Sequence, residues 1–173
     1  MDLIRQLDFS TLNFIEQIRT PFLTTFFKVI TATGEWSFVL GALVLISLFF
    51  IIKKRFRYDL VLWPVTVGGL LTAFVLKEVF HRDRPLGALV AETSSSFPSA
   101  HAIISIAFYS FVFYLLARNA KQGFSKYLLI SALFLVPALL GFSRLYLGVH
   151  YLSDVLAGYA IGDIWFLIGV YGL

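Results

Sequence analysis

Five long apolar stretches leave this chain few folds to choose from. They cover residues 36–52, 60–80, 102–117, 127–142 and 151–171. Their lengths approach the ~17–25 residues that a helix needs to cross a bilayer. With 59% of its 173 residues hydrophobic and only 14% charged, the chain carries more apolar surface than a water-soluble core of this size could hide. Inside a bilayer every backbone N–H and C=O must be paired without water, and continuous apolar runs of this length do so as helices. The expected fold is therefore all-α, an integral-membrane helical bundle of about five transmembrane helices. One membrane-embedded domain over 1–173 is expected, with N-terminal helices over 1–34 and the transmembrane bundle over 36–171.

The N-terminal part reads differently. Residues 2–19 place Leu3, Ile4, Leu7, Leu12, Ile15 and Ile18 among polar residues. That spacing predicts an amphipathic helix lying in the interface. Residues 22–33 are apolar but short and are interrupted by Lys28, so this segment is expected to dip into the bilayer without crossing. The opening Met-Asp-Leu-Ile-Arg has neither the basic region nor the cleavage site of a signal peptide. No repeat, linker or low-complexity segment is visible. The chain has no cysteine, so disulfides and thiol chemistry are excluded. Its excess of 14 Lys+Arg over 10 Asp+Glu points to orientation and anionic lipid. No basic run interleaved with aromatics suggests nucleic acid, so the expected partner is the bilayer.

Basic residues also predict orientation. Lys53, Lys54, Arg55 and Arg57 fill one short loop, and Arg118, Lys121 and Lys126 fill another. Both loops should be cytoplasmic. The other loops, external by alternation, carry three short motifs. The first is K-x-x-x-x-x-x-R-P, from Lys77 to Arg84 and Pro85. The second is P-S-A-H, Pro98 to His101. The third runs from Ser143 and Arg144 to His150 and Asp154.

Each motif has a plain reading and a chemical one. His150 and Asp154, four residues apart, would share a helix face. The carboxylate could accept one ring N–H and free the other nitrogen as a nucleophile; a helix-start histidine beside a capping acid would look the same. Lys77, Arg84 and Arg144 lie at membrane edges, where a single cation often only snorkels to headgroups. Three of them beside histidine-bearing motifs fit a phosphate clamp, because phosphoryl transfer is helped mainly by positioning and charge. Pro98-Ser99-Ala100 starts a helix, whose free N–H groups bind anions. His101 could then protonate a leaving oxygen. His81 is read as an interfacial loop histidine, and Ser94, Ser95 and Ser96 as flexible loop.

Together the motifs, in this order from Lys77 to Asp154, resemble the tripartite signature of the type 2 phosphatidic acid phosphatase superfamily, which also includes bacterial acid phosphatases and vanadium haloperoxidases. The resemblance implies a lipid phosphatase of the cytoplasmic (inner) membrane with its active site on the external face. It implies that His150 attacks phosphorus and forms a phosphohistidine, that Asp154 orients His150, and that His101 protonates the leaving oxygen and later activates water. Lys77, Arg84 and Arg144 would hold the phosphate with Ser99 and the N–H of Ala100. No metal or other cofactor is implied. Candidate substrates are undecaprenyl diphosphate, lipid A 1-phosphate, phosphatidylglycerol phosphate and phosphatidate. Two features depart from the family. Ala100 stands where glycine is usual, and five spans are counted where membrane members commonly have six, the sixth being one that would precede Asp2.

Two other classes fit less well. A metal-dependent hydrolase built on His81, His101 and His150 lacks zinc-like spacing, and the clustered cations would repel a divalent ion. A transporter or channel would rest on Asp163 alone, the one acid deep in a span. That residue is expected to face the bundle beside Gly158 and Gly162, hydrogen-bonded between helices.

Overall fold

The computed structural model describes residues 2–173. Among them there is no strand, and the chain runs as successive helices. α1 spans Asp2–Gln17, α2 Pro21–Ala32, α3 Trp36–Ile52 and α4 Asp59–Phe80. Next come α5, Ala100–Ile104, a π-helical stretch over Ser105–Ser110 and α6, Phe111–Asn119, in one continuous rod. α7 spans Phe124–Tyr146 and α8 Leu152–Tyr171.

Local chemistry sets several boundaries. Thr20 caps α2 by accepting from the Leu23 N–H at 3.2 Å, and Pro21 fills the first helical position, where a missing N–H costs nothing. α4 stops where His81 turns left-handed, at φ 44°. The sharp turn after α7 depends on Gly148 at φ 70°, a conformation that side chains disfavour.

Four helices are long and apolar enough to cross a membrane: the rods ending at Phe80, Asn119, Tyr146 and Tyr171. α2 and α3, bent 51° at their junction, make a fifth if they form one broken span. The short apolar 22–33 segment is thus half of that bent pair. The core lies around the Ala100–Asn119 rod, with Ile104, Ala107, Phe108 and Phe111 buried against Leu62 and Val65 of α4. α8 presses onto the start of the same rod. A Cβ at Gly158 would sit 2.7 Å from the Ser99 carbonyl oxygen, so only glycine permits that approach. The contact is fixed by the Ser99 N–H, which donates to the Asp154 carbonyl at 3.1 Å.

The N-terminal helix forms as expected: α1 leaves Leu3, Ile4 and Leu7 exposed and buries Ile15 and Asp8 toward the bundle. One expectation changes. Asp163 does not face the Gly158–Gly162 seam. It is exposed on the outer side of α8, one residue round from buried Gly162.

The two basic loops meet at the far end of the bundle from the motifs. Arg55 donates to Asn119 Oδ1 at 2.5 Å, and Lys54, Arg57, Arg118 and the C-terminal Leu173 line the same cleft.

Candidate active site

The three motifs converge at one end of the bundle, and a loop between α4 and α5 ties them together. His150 lies in the turn between α7 and α8 and is 1% exposed. It stands just before the helix, not on its face as the spacing suggested. Tyr151 remains extended as the N-cap of α8, and Asp154 reaches back to accept the Tyr151 N–H at 2.8 Å. This return brings Asp154 Oδ2 to 3.5 Å from His150 Nδ1. The opposite ring nitrogen, Nε2, faces Arg84 Nη1 at 3.4 Å. Burial pushes the His150 imidazole down to about 3; Asp154 opposes the shift, while Arg144 and Arg84 add to it. The ring is therefore neutral near pH 7, with a lone pair free for attack.

Arg84 is held tightly. Its Nη1 donates to the Val149 carbonyl at 2.8 Å, its Nε to the Ser94 carbonyl at 2.7 Å and its Nη2 to Ser94 Oγ at 3.1 Å. Arg144, in the last turn of α7, is 1% exposed and donates through Nη1 to Thr31 Oγ1 at 2.7 Å. Its other nitrogen meets Glu92, whose second oxygen lies 3.6 Å from Arg84. Burial alone would raise the Glu92 carboxyl, but Arg144 and Arg84 outweigh it and hold it below the ordinary carboxylate range. One carboxylate thus bridges two motif arginines. Lys77 donates to the Ser95 carbonyl.

Beside the start of α8, Ser99 caps α5, its hydroxyl accepting from the Ala102 N–H at 3.4 Å. Ala100 is the first residue of that helix, so its N–H has no partner within the helix. His101 is buried, with Nε2 lacking a hydrogen-bond partner; the Glu35 carboxylate, at the α2–α3 bend, comes to 3.6 Å. All eight residues singled out from the sequence are at this end of the bundle, and His150, Asp154, Arg84 and Arg144 are linked through direct contacts or Glu92.

The serine-rich loop is a correction. Flexibility was expected, but Ser94 and Ser95 hold the cations, and Ser96 is fully buried, donating its N–H to the Arg82 carbonyl at 2.8 Å. Four further side chains join the cluster unannounced by any motif: Asp8, Glu35, Arg82 and Glu92. Arg82 and Glu92 sit close to motif residues in sequence, which was the available hint. No group of three His, Cys, Asp or Glu side chains that could hold a metal ion comes together among the described residues.

The chain has clear relatives. A sequence profile of the PAP2 superfamily matches residues 60–172. Phosphatidylglycerophosphatase B of Bacillus subtilis is 34% identical over 87% of this chain and 75% of that protein. Undecaprenyl-diphosphatase BcrC of the same organism is 29% identical over 75% of this chain and 66% of its own length. The crystal structure of a transmembrane PAP2-type phosphatidylglycerolphosphate phosphatase from B. subtilis superposes with a TM-score of 0.91 at 31% identity, over 99% of this chain and 86% of the other. LpxE of Aquifex aeolicus shares the fold, with a TM-score of 0.70 at 24% identity over 95% of both chains. Profile, relatives and fold agree with the motif geometry: the chain belongs to the PAP2 superfamily.

Proposed function

We propose that this membrane lipid phosphatase hydrolyses a lipid phosphomonoester or diphosphate through a phosphohistidine at His150, without a metal. The observation that carries the reading is the Glu92 carboxylate bridging Arg144 and Arg84, with Arg84 also beside His150 Nε2. Two guanidiniums aimed at one anion, next to an unprotonated ring nitrogen, form a cradle for a phosphate group. Substrate phosphate takes the place of the Glu92 carboxylate there.

The reaction follows from the groups present. His150 Nε2 forms a bond to phosphorus as the bond to the lipid oxygen breaks. His101, protonated in the substrate complex with the Glu35 carboxylate 3.6 Å from its Nε2, gives its proton to that departing oxygen. The Asp154 charge, 3.5 Å from Nδ1, favours the Nδ1–H tautomer and offsets the positive charge that grows on the ring. Arg84, Arg144 and Lys77 spread the charge of the equatorial oxygens, helped by Ser99 and the Ala100 N–H. His101, now neutral, takes a proton from water, whose oxygen attacks phosphorus. Inorganic phosphate leaves, and His150 is restored.

The relatives named above support phosphatidylglycerol phosphate and undecaprenyl diphosphate as the substrates to try first, with lipid A 1-phosphate and phosphatidate behind them. The basic loops at the far end support an external site in the cytoplasmic membrane, within one membrane-embedded domain. Phosphate release from each of the four lipids by purified protein in mixed micelles tests the reading. Turnover of at least one, lost in His150→Ala, is expected. No turnover of any would contradict it.

A further inference from the structure

A second carboxylate stands behind the His150–Asp154 pair. Asp8, on α1, is 1% exposed, although aspartate is seldom buried unless paired. Its Oδ2 accepts from Arg82 Nη2 at 2.8 Å and from Ser153 Oγ at 2.7 Å. Its Oδ1 accepts the Ser153 N–H at 2.8 Å. Arg82 continues the chain, donating through Nη1 to Asp154 Oδ1 at 2.5 Å and to Ser153 Oγ at 2.8 Å. The guanidinium also lies over the Tyr151 ring, 4.3 Å from its centroid.

The orientation of α1 makes this contact unusual. The helix exposes Leu3, Ile4, Leu7 and Phe14, yet turns an acid toward the bundle. A docking contact alone would be served by apolar residues, as it is by Ile15 against Tyr146 and Leu147. Arg82, moreover, competes with His150 for the same carboxylate. Asp154 gives Oδ1 to Arg82 and Oδ2 to the Tyr151 N–H, and its approach to His150 Nδ1, at 3.5 Å, is wider than a hydrogen bond. Without a counter-charge Arg82 would draw Asp154 further from the ring. Asp8 supplies that counter-charge, so the trio of two acids and one guanidinium keeps a net negative charge for His150.

We propose that Asp8 is a positioning residue of the phosphatase site: acting through Arg82 and Ser153, it fixes the Asp154 carboxylate so that its charge serves His150. The proposal rests on the roles given above to His150 and Asp154. His150 is faced by Arg84 from the loop, Arg144 from α7 and Asp154 from α8, so the Asp8 effect has to pass through Asp154.

The test combines kinetics with ¹⁵N NMR of histidine-labelled protein, which is tractable because the chain has only 3 histidines. In the unaltered protein His150 should be the Nδ1–H tautomer. Asp8→Asn should populate the Nε2–H tautomer and lower kcat by about 10-fold or more, the scale seen when an outer partner of a site ligand is removed. KM should stay within about 3-fold, because Asp8 touches none of the phosphate-holding groups. A fall in kcat with the tautomer unmoved would reduce Asp8 to a structural contact and overturn the proposal. Should Asp8→Asn fail to fold, the double variant carrying Asp8→Asn and Arg82→Gln, which removes Asp8 together with the guanidinium it faces, replaces it. Its kcat should lie within about 3-fold of Arg82→Gln alone, since coupled residues do not add. A further 10-fold loss would overturn the proposal. Full activity in His150→Ala would instead sink the catalytic reading beneath it.

Discussion

Arg144→Lys keeps a positive charge in the cradle and removes its fork. Arg144 is 1% exposed and uses two nitrogens at once, one on Thr31 Oγ1 at 2.7 Å and the other on Glu92, whose place the substrate phosphate is proposed to take. A lysine ammonium is a single point and cannot serve both places. If it turns to Thr31, the developing phosphoryl oxygens lose a preorganised donor, and if it turns to the phosphate, it is no longer held in line. Loss of one such donor costs roughly 2.7–4 kcal/mol, or 10²–10³ in kcat. Retained charge keeps the effect near the lower end, about 100-fold. Most of it should fall on kcat, because the ground-state phosphate still finds a cation. The assay is inorganic phosphate release from a lipid phosphate in detergent micelles, with thermal unfolding checked alongside. A folded variant within about 3-fold of the native kcat would show that Arg144 does not act on the transferring group.

Other predictions follow from the same geometry. Glu92→Gln removes the carboxylate that occupies the cradle, so vanadate should inhibit about 10–100-fold more tightly, the scale of a charge-assisted contact; unchanged or weaker inhibition would mean that phosphate binds elsewhere. Activity should persist in excess EDTA, and a loss restored by zinc or magnesium would contradict the metal-free route. If His150, held down to about 3 by burial, is the nucleophile as proposed, the acid side of the kcat/KM profile should show no limb near the ordinary histidine value of 6.5. The sign for stability runs the same way: the neutral buried ring stabilises the fold fully above pH 6.5, and this contribution is lost as pH falls toward 3. Cysteine at Leu86, which is 95% exposed, should react with an impermeant thiol reagent from outside intact cells while cysteine at Gln122 should not; the reverse pattern would put the site in the cytoplasm.

The parts legible in the sequence were those with a period or a spacing. Apolar length announced the spanning helices, and charge placed Lys53–Arg57 and Arg118–Lys126 on one side, at the end where Arg55 meets Asn119. Motif spacing announced His150, Asp154, Arg84 and Arg144. What could not be read depends on contacts between distant segments. Asp8 and Arg82 are 74 positions apart, and neither belongs to a recognisable pattern. Glu92 looks like an ordinary loop acid until the fold swings it onto Arg144. The π-helical stretch over Ser105–Ser110 contains no proline or glycine that would mark a change of helix type. Asp163 was misjudged because depth along a helix says nothing about which way a side chain faces.

The central claim is that phosphate passes through His150. Brief reaction with a ³²P-labelled lipid phosphate, quenched in denaturant, tests it most directly. The expected product is a labelled protein whose phosphate is lost in acid and kept in base, as phosphohistidine would be, and whose label is absent from His150→Ala. Label retained by His150→Ala, or an acid-stable adduct on another residue, would contradict it.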